Sequence, residues 1–211
     1  MSEYKDLSQD EIRELEKWAK YGKLMSGFIH NLNTPLMGLS GRIELMEIKY
    51  PDIKGLEALT KHVDTLNRML QACAYFTDKD TNDKEYDTNI VDFIERFDLF
   101  MKSHMKYKHG IFVEKDLTPC QKVINAQRYF NALYRIISFF LNYTGEDDSL
   151  IFKNDENGLT VTFNKGDEDQ YDLVMDDVKS ALVDVLDSLE SIKKSLEFEL
   201  SGESIQVRIS F

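Results

Sequence analysis

Apolar or small residues recur at Leu15, Trp18, Gly22, Met25, Ile29, Leu32, Leu36, Leu39, Ile43 and Met46, alternating three and four residues apart. That spacing keeps them on one side of a helix and predicts a bundle or coiled-coil seam. The helix should run from about Ser8 to about Tyr50, where Pro51, Asp52 and Gly55 stop it and turn the chain. Leu56, Leu59, Val63, Leu66, Leu70 and Cys73 repeat the pattern and predict a second, antiparallel helix. The resulting hairpin leaves roughly half of its apolar stripe bare. A second copy would cover it, with Leu32, Leu36, Leu59, Val63 and Leu66 in a shared four-helix core.

A polar run from Thr77 to Lys84 then marks a boundary, dividing the chain into a hairpin over 1–80 and a second domain over 84–211. The pattern changes there to alternating strands and helices. Glu85 to Asn89 reads as a short strand, and Ile90 to about Lys108 as a helix with Phe93, Phe97, Phe100 and Met101 on one face, stopped by Gly110. Ile111 to Leu117 is a strand, and Lys122 to Asn125 leads into a helix from about Ala126 to Asn142. Ser149 to Lys153 and Leu159 to Asn164 flank Asp-Glu-Asn-Gly, a hairpin signal. After a loop from Lys165 to Tyr171, Val178, Leu182, Val185 and Leu189 mark a helix from about Val174 to Lys194. Ser195 to Leu200 and Ser204 to Phe211 close the chain as a hairpin turning at Ser201 and Gly202.

Composition narrows the partners. The 211 residues carry a net charge of −12 with a pI near 4.8, which argues against nucleic acid. The acidity is uneven: residues 1–80 hold 11 basic and 13 acidic side chains, and residues 81–211 hold 15 and 25. Between Glu16 and Glu44 there is no carboxylate, while Lys17, Lys20, Lys23 and Arg42 fall in the interval. The N-terminus lacks the basic start and apolar stretch of a signal peptide, and no run approaches a membrane span, so no membrane partner is expected and the chain should stay in the cytoplasm. Cys73 and Cys120 are expected to be reduced, with no disulfide or metal framework. His62, His104 and His109 lack partners at ligand spacing and read as surface residues.

The chemistry concentrates at His30, Asn31, Leu32, Asn33, Thr34, Pro35 and Leu36. His30 lies beside the apolar seam, where an imidazole is held by its helix and still reachable by a partner. Pro35 lacks an N–H for the carbonyl of Asn31 and should loosen or kink the helix just after the histidine. This run resembles the phosphoacceptor box of two-component sensor histidine kinases, written His, Glu or Asp, a hydrophobe, Arg or Asn, Thr or Asn, Pro, Leu. The order of elements after residue 84 is similar to the ATP-binding domain of the same family.

The resemblance implies an α+β fold class: a helical hairpin forming a dimeric four-helix bundle, followed by a degenerate histidine-kinase ATPase-like α/β sandwich. It also implies what is missing. The family's magnesium-binding Asn falls on Phe139, which has no oxygen ligand to offer, and Asn142 is the alternative, read as a slipped survivor. No Asp-x-Gly-x-Gly turn is found, and between Asn164 and the last helix the single glycine is Gly166, in a loop too short and too acidic to cradle a triphosphate. The acidic general base expected after the phosphoacceptor is Asn31, whose amide accepts no proton.

These departures point to a histidine phosphotransferase that passes a phosphoryl group between receiver-domain aspartates through His30 without using ATP. No cofactor or metal would be bound by this chain, and Mg2+ is expected on the partner receiver domain. The expected catalytic set is His30 as phosphoacceptor with Asn31, Thr34 and Pro35, and the partner-docking set is Lys23, Ser26, Gly27, Asn33 and Met37. A homodimer, response-regulator receiver domains and an upstream hybrid histidine kinase are the expected partners. The competing reading is a catalytically inactive pseudo-histidine kinase that binds or dephosphorylates a response regulator. Thr34, one turn from His30, would then place a water, or is an ordinary helix threonine.

Overall fold

The computed structural model describes residues 8–77, 84–145, 147–166, 175–200 and 203–211. The chain divides into two compact units, Met1–Asp78 and Lys79–Phe211. The turn at Ser201 and Gly202, and most of the linker and of the loop after Lys165, lie outside the described residues.

The first unit is the expected hairpin. α1 runs over Gln9–Lys49 without interruption at Pro35, and α2 runs over Leu56–Thr77. The chain reverses through Tyr50–Gly55, where Gly55 has φ 90°, a conformation that glycine adopts without a Cβ penalty. Two polar bonds set the register. Thr60 Oγ1 donates to Glu47 Oε1, and Asn67 Nδ2 donates to Ser40 Oγ at 2.9 Å. Both fit one antiparallel alignment. Ten residues beyond Asn67 is Thr77, the last residue of α2, and ten before Ser40 is His30.

Each helix of the hairpin carries two apolar lines. Ile29, Ile43, Leu56 and Val63 are buried, with Leu32, Leu36 and Leu70 half-buried beside them. Met25, Leu39 and Met46 on α1, and Leu59, Leu66 and Met69 on α2, remain exposed. The side chain of Trp18 lies outside the described residues.

The second unit is a helix-backed sheet. Its elements are β1 (Tyr86–Asn89), α3 (Ile90–Met101), α4 (Met105–His109), β2 (Phe112–Asp116), β3 (Gln121–Ile124), α5 (Ala126–Phe140), β4 (Ser149–Asn154), β5 (Gly158–Asn164), α6 (Met175–Ala181), α7 (Val183–Glu190), β6 (Leu196–Leu200) and β7 (Ser204–Ser210). Five strands form one sheet in the order β2-β4-β5-β7-β6, with β2 parallel to β4 and the other pairs antiparallel. Leu150, Phe152, Leu159, Val161, Phe163, Ile205, Val207 and Ile209 alternate along the strands and are almost fully buried. Phe93, Phe97, Leu133, Ile136 and Phe140 supply the helical side of the core, and the Phe97 ring meets Phe130 edge-on at 5.4 Å. Gly158 is required where β5 passes β7, because an added Cβ would lie 2.6 Å from the Ile209 carbonyl oxygen.

The α+β class and its order hold, with three corrections. The helix expected over Ile90 to Lys108 is two, α3 and α4, separated by Lys102–His104. Tyr107 follows Asp98 by nine residues, two and a half turns, so a continuous helix would put them on opposite sides. Their bond, Tyr107 Oη to Asp98 Oδ1 at 3.0 Å, requires the break, and His104 Nδ1 accepts from the Tyr107 N–H to start the new helix. The helix expected over Val174 to Lys194 is α6 and α7, interrupted at Leu182 and ended by Lys193, whose φ of 59° is left-handed. Finally, the lead-in to α5 is a strand: β3 pairs with β1 in a separate two-stranded sheet.

Candidate functional site

α1 holds His30 on its solvent side. Ile29 is 4% exposed and anchors that stretch of helix, whereas His30, Asn31, Thr34 and Pro35 are exposed and Asn33 is half-buried. Thr34 is one turn after His30 and Met37 two turns after, so the three share a face. Met37 is 72% exposed. Gly27, one turn before His30, is also exposed, and an added Cβ there would meet no atom within 4 Å. Helical spacing thus brings Gly27, His30, Asn33, Thr34 and Met37 along one strip. Lys23 and Ser26 belong to α1, but their side chains lie outside the described residues.

On the other side of α1 from His30, the structure exposes an aromatic residue that the sequence pattern did not single out. Phe28, two residues before His30, is 58% exposed. An aromatic residue outside the three-and-four repeat was the available signal. Among described residues flanking His30 on α1, Lys20 pairs loosely with Glu16 at 3.9 Å, and Arg42 is exposed.

The second unit has a different character at the position where the resemblance placed a metal-binding Asn. Phe139 packs edge-on against Phe140 at 5.1 Å and near Tyr143 at 5.3 Å, so the place is aromatic. Asn142 is exposed in the turn that follows α5, its backbone N–H donating to the Phe139 carbonyl. A cleft of about 460 Å3 lies between α5 and α7. Arg135 forms an ion pair with Asp184 across it, and Arg128 donates to Ser191 Oγ at 2.7 Å. Both arginines tie α7 to α5.

The start of the loop after β5 is also pinned. Asp148, 3% exposed, accepts from the Gly166 N–H at 2.9 Å through Oδ1 and from the Gly145 N–H at 2.8 Å through Oδ2, with Lys165 Nζ at 3.4 Å. An added Cβ on Gly166 would fall 2.4 Å from the Asp147 carbonyl oxygen, so only glycine fits. Among the described residues no group of three or more His, Cys, Asp or Glu is placed to hold a metal ion. Cys73 and Cys120 are half-buried thiols, Cys120 accepting from Asn154 Nδ2 at 3.2 Å, and His104 serves as the N-cap of α4. No described helix is long and apolar enough to cross a membrane.

Beneath the sheet edge, Asp98 joins a charged cluster. Its carboxylate accepts from Lys102 at 3.0 Å, Lys115 at 2.9 Å and the Tyr107 hydroxyl, and Lys115 also reaches Glu95. Burial alone would push the Asp98 carboxyl up, but the hydrogen bonds from Lys115 and Lys102 outweigh it and hold it below the usual carboxylate range. Burial, reinforced by the Asp98 charge, drives the Tyr107 phenol far up.

No family model matches the sequence, and no curated protein matches it. Solved structures do. The chain is similar to the cytoplasmic segment of histidine kinase QseC, with 12% identity and a TM-score of 0.48 over 76% of this chain and 96% of that one. It is similar to the Acinetobacter baumannii histidine kinase AdeS, with 14% identity and a TM-score of 0.49 over 86% and 96%. A bacterial phosphotransferase gives 11% identity and a TM-score of 0.44 over 90% and 96%.

Proposed function

We propose that this chain is a histidine phosphotransferase of a two-component phosphorelay, accepting a phosphoryl group on His30 from one receiver-domain aspartate and passing it to another without ATP. The observation that carries the reading is the contrast between the two units. An exposed His30 stands in a strip of reachable residues on a long helix, whereas Phe139, which the resemblance aligns with the family's metal-binding Asn, packs its ring against Phe140. A neutral imidazole is the nucleophile this transfer needs. The lone pair of one ring nitrogen forms the N–P bond as the P–O bond to the receiver aspartate breaks, and the carboxylate leaves with the electron pair. The other ring nitrogen keeps its proton. Delivery to the second receiver reverses these steps. Mg2+ would belong to the receiver, which supplies the oxygen ligands.

The unit is a homodimer in this proposal, because the exposed lines Met25, Leu39 and Met46 and Leu59 and Leu66 are what a second hairpin would bury. A second reading, an inactive pseudo-kinase that binds or dephosphorylates a response regulator, is favoured by one observation: Thr34 is exposed one turn from His30, where it would position a water. Mixing the chain with phosphorylated receiver domains from the same genome separates the two. Acid-labile, base-stable label should appear on the wild-type chain and be abolished in His30→Gln, with fold and dimer unchanged. Label at full level in that variant would remove His30 from the reaction, and loss of receiver phosphate with no label on the chain would favour the second reading.

A further inference from the structure

Polar residues recur on α1 at Asn33, Ser40 and Glu47, seven residues apart. Seven residues are close to two helical turns, so the three lie on one line. Two of them bond across the hairpin: Glu47 accepts from Thr60, and Ser40 from Asn67. In that antiparallel register a step of seven back along α1 is a step of seven forward along α2, from Thr60 to Asn67 and then to Ala74. Asn33 therefore stands opposite a methyl group, where no cross-hairpin side-chain bond is open to it.

Asn33 belongs to the line of Ile29 and Leu36 and is half-buried like Leu36. Among the described residues its amide has no hydrogen-bond partner. An amide shielded from water without a bond is costly where an apolar side chain would serve, so the position points to a use on α1 itself.

His30 is three residues before Asn33, a spacing at which helical side chains meet. Side chains on a helix lean toward its N-terminus, which carries the Asn33 amide back over the turn that holds His30. Other acceptors are worse placed. Asn31 faces a different side of the helix, and its carbonyl, which Pro35 leaves without a donor, points toward the C-terminus, away from a ring that leans the other way. Thr34 is exposed, so water competes for its hydroxyl, whereas Asn33 is partly shielded.

Transfer through His30 needs one ring nitrogen bare and facing the partner. Nε2 is the nitrogen farther from the backbone, and in the neutral ring it is bare only when the proton is on Nδ1, the form favoured by an acceptor for Nδ1–H. We propose that Asn33 is a positioning residue for His30: its amide oxygen accepts from Nδ1–H and fixes the tautomer that presents Nε2 outward. This rests on the phosphorelay reading and moves Asn33 from partner docking to support of the imidazole.

Nitrogen NMR of the histidine rings in the unphosphorylated full chain, with His30 assigned from the His30→Gln spectrum, tests it alongside steady-state transfer from a phosphorylated receiver domain. In the neutral ring, wild-type His30 should carry its proton on Nδ1. Asn33→Leu should move it to Nε2, with kcat lowered about ten- to a hundredfold and KM within about twofold of wild type. Asn33→Gln keeps an amide oxygen and should keep the wild-type tautomer and most of kcat. Leucine suits the apolar line, so the melting temperature of Asn33→Leu should not fall.

A proton on Nε2 in the wild type, or a tautomer and kcat that Asn33→Leu leaves unchanged, would overturn the positioning role, and His30→Gln being inactive would leave the relay standing. A rise in KM with kcat and tautomer unchanged would return Asn33 to partner docking and overturn it equally. Transfer that persists in His30→Gln would overturn the relay and this proposal with it.

Discussion

Across the hairpin, the Asn67 amide donates to the Ser40 hydroxyl at 2.9 Å, and in the register it shares with Thr60 and Glu47 the end of α2 is level with His30. His30, the proposed phosphoacceptor, therefore sits where two-helix packing gives way to the stretch of α1 from Gln9 to Ile29, which runs past the last residue of α2. A nucleophile placed there is supported from one side and open on the other.

The open apolar lines lead to the first prediction. Light scattering at micromolar concentration should give about twice the 24.6 kDa chain mass. Leu59→Asp with Leu66→Asp should convert it to monomer, since both side chains are more than 40% exposed in the single chain and would meet a partner in the dimer. Monomer mass for the wild type would refute the four-helix bundle.

Nucleotide should do nothing to stability. With the Phe139 ring packed against Phe140 and α7 tied to α5 by Arg135 and Arg128, ATP or ADP with Mg2+ at about millimolar concentration should leave the melting temperature unchanged, because a ligand stabilises in proportion to its binding. A clear upward shift would restore a kinase reading.

Charge near His30 should set the association rate. Replacing Lys23 or Ser26, two turns and one turn before His30, by Glu should slow transfer several-fold, with salt lessening the defect. The same change at Lys153 or Lys179 should do much less. Equal defects at all four positions would show that net charge, not place, controls the rate.

Acid should unfold the second unit partly through Asp98. Its carboxyl is held low in the folded chain, so its contribution is complete above the unfolded value of about 4 and fades as pH falls through the folded value. Asp98→Asn should cost roughly 2–3 kcal/mol at neutral pH, because Lys115 and the Tyr107 hydroxyl lose their anionic partner. The gap between the melting curves of the two proteins should narrow as pH falls below about 4. A gap that is the same at pH 7 and pH 3 would assign the loss to packing.

Periodicity by itself determined the two helices of the hairpin, most strands and the strip along which Gly27, His30, Thr34 and Met37 line up, because those follow from 3.6 and 2 residues per repeat within one segment. The break between α3 and α4 was not legible, since it is made by a bond from Tyr107 to Asp98 that local propensity does not encode. β3 was missed for the same reason: Gln121–Ile124 becomes a strand through its pairing with Tyr86–Asn89, far away in the sequence. The exposed faces of Phe28, Met105 and Phe112 were likewise settled by tertiary packing, because whether an apolar side chain is covered depends on what the rest of the chain brings against it.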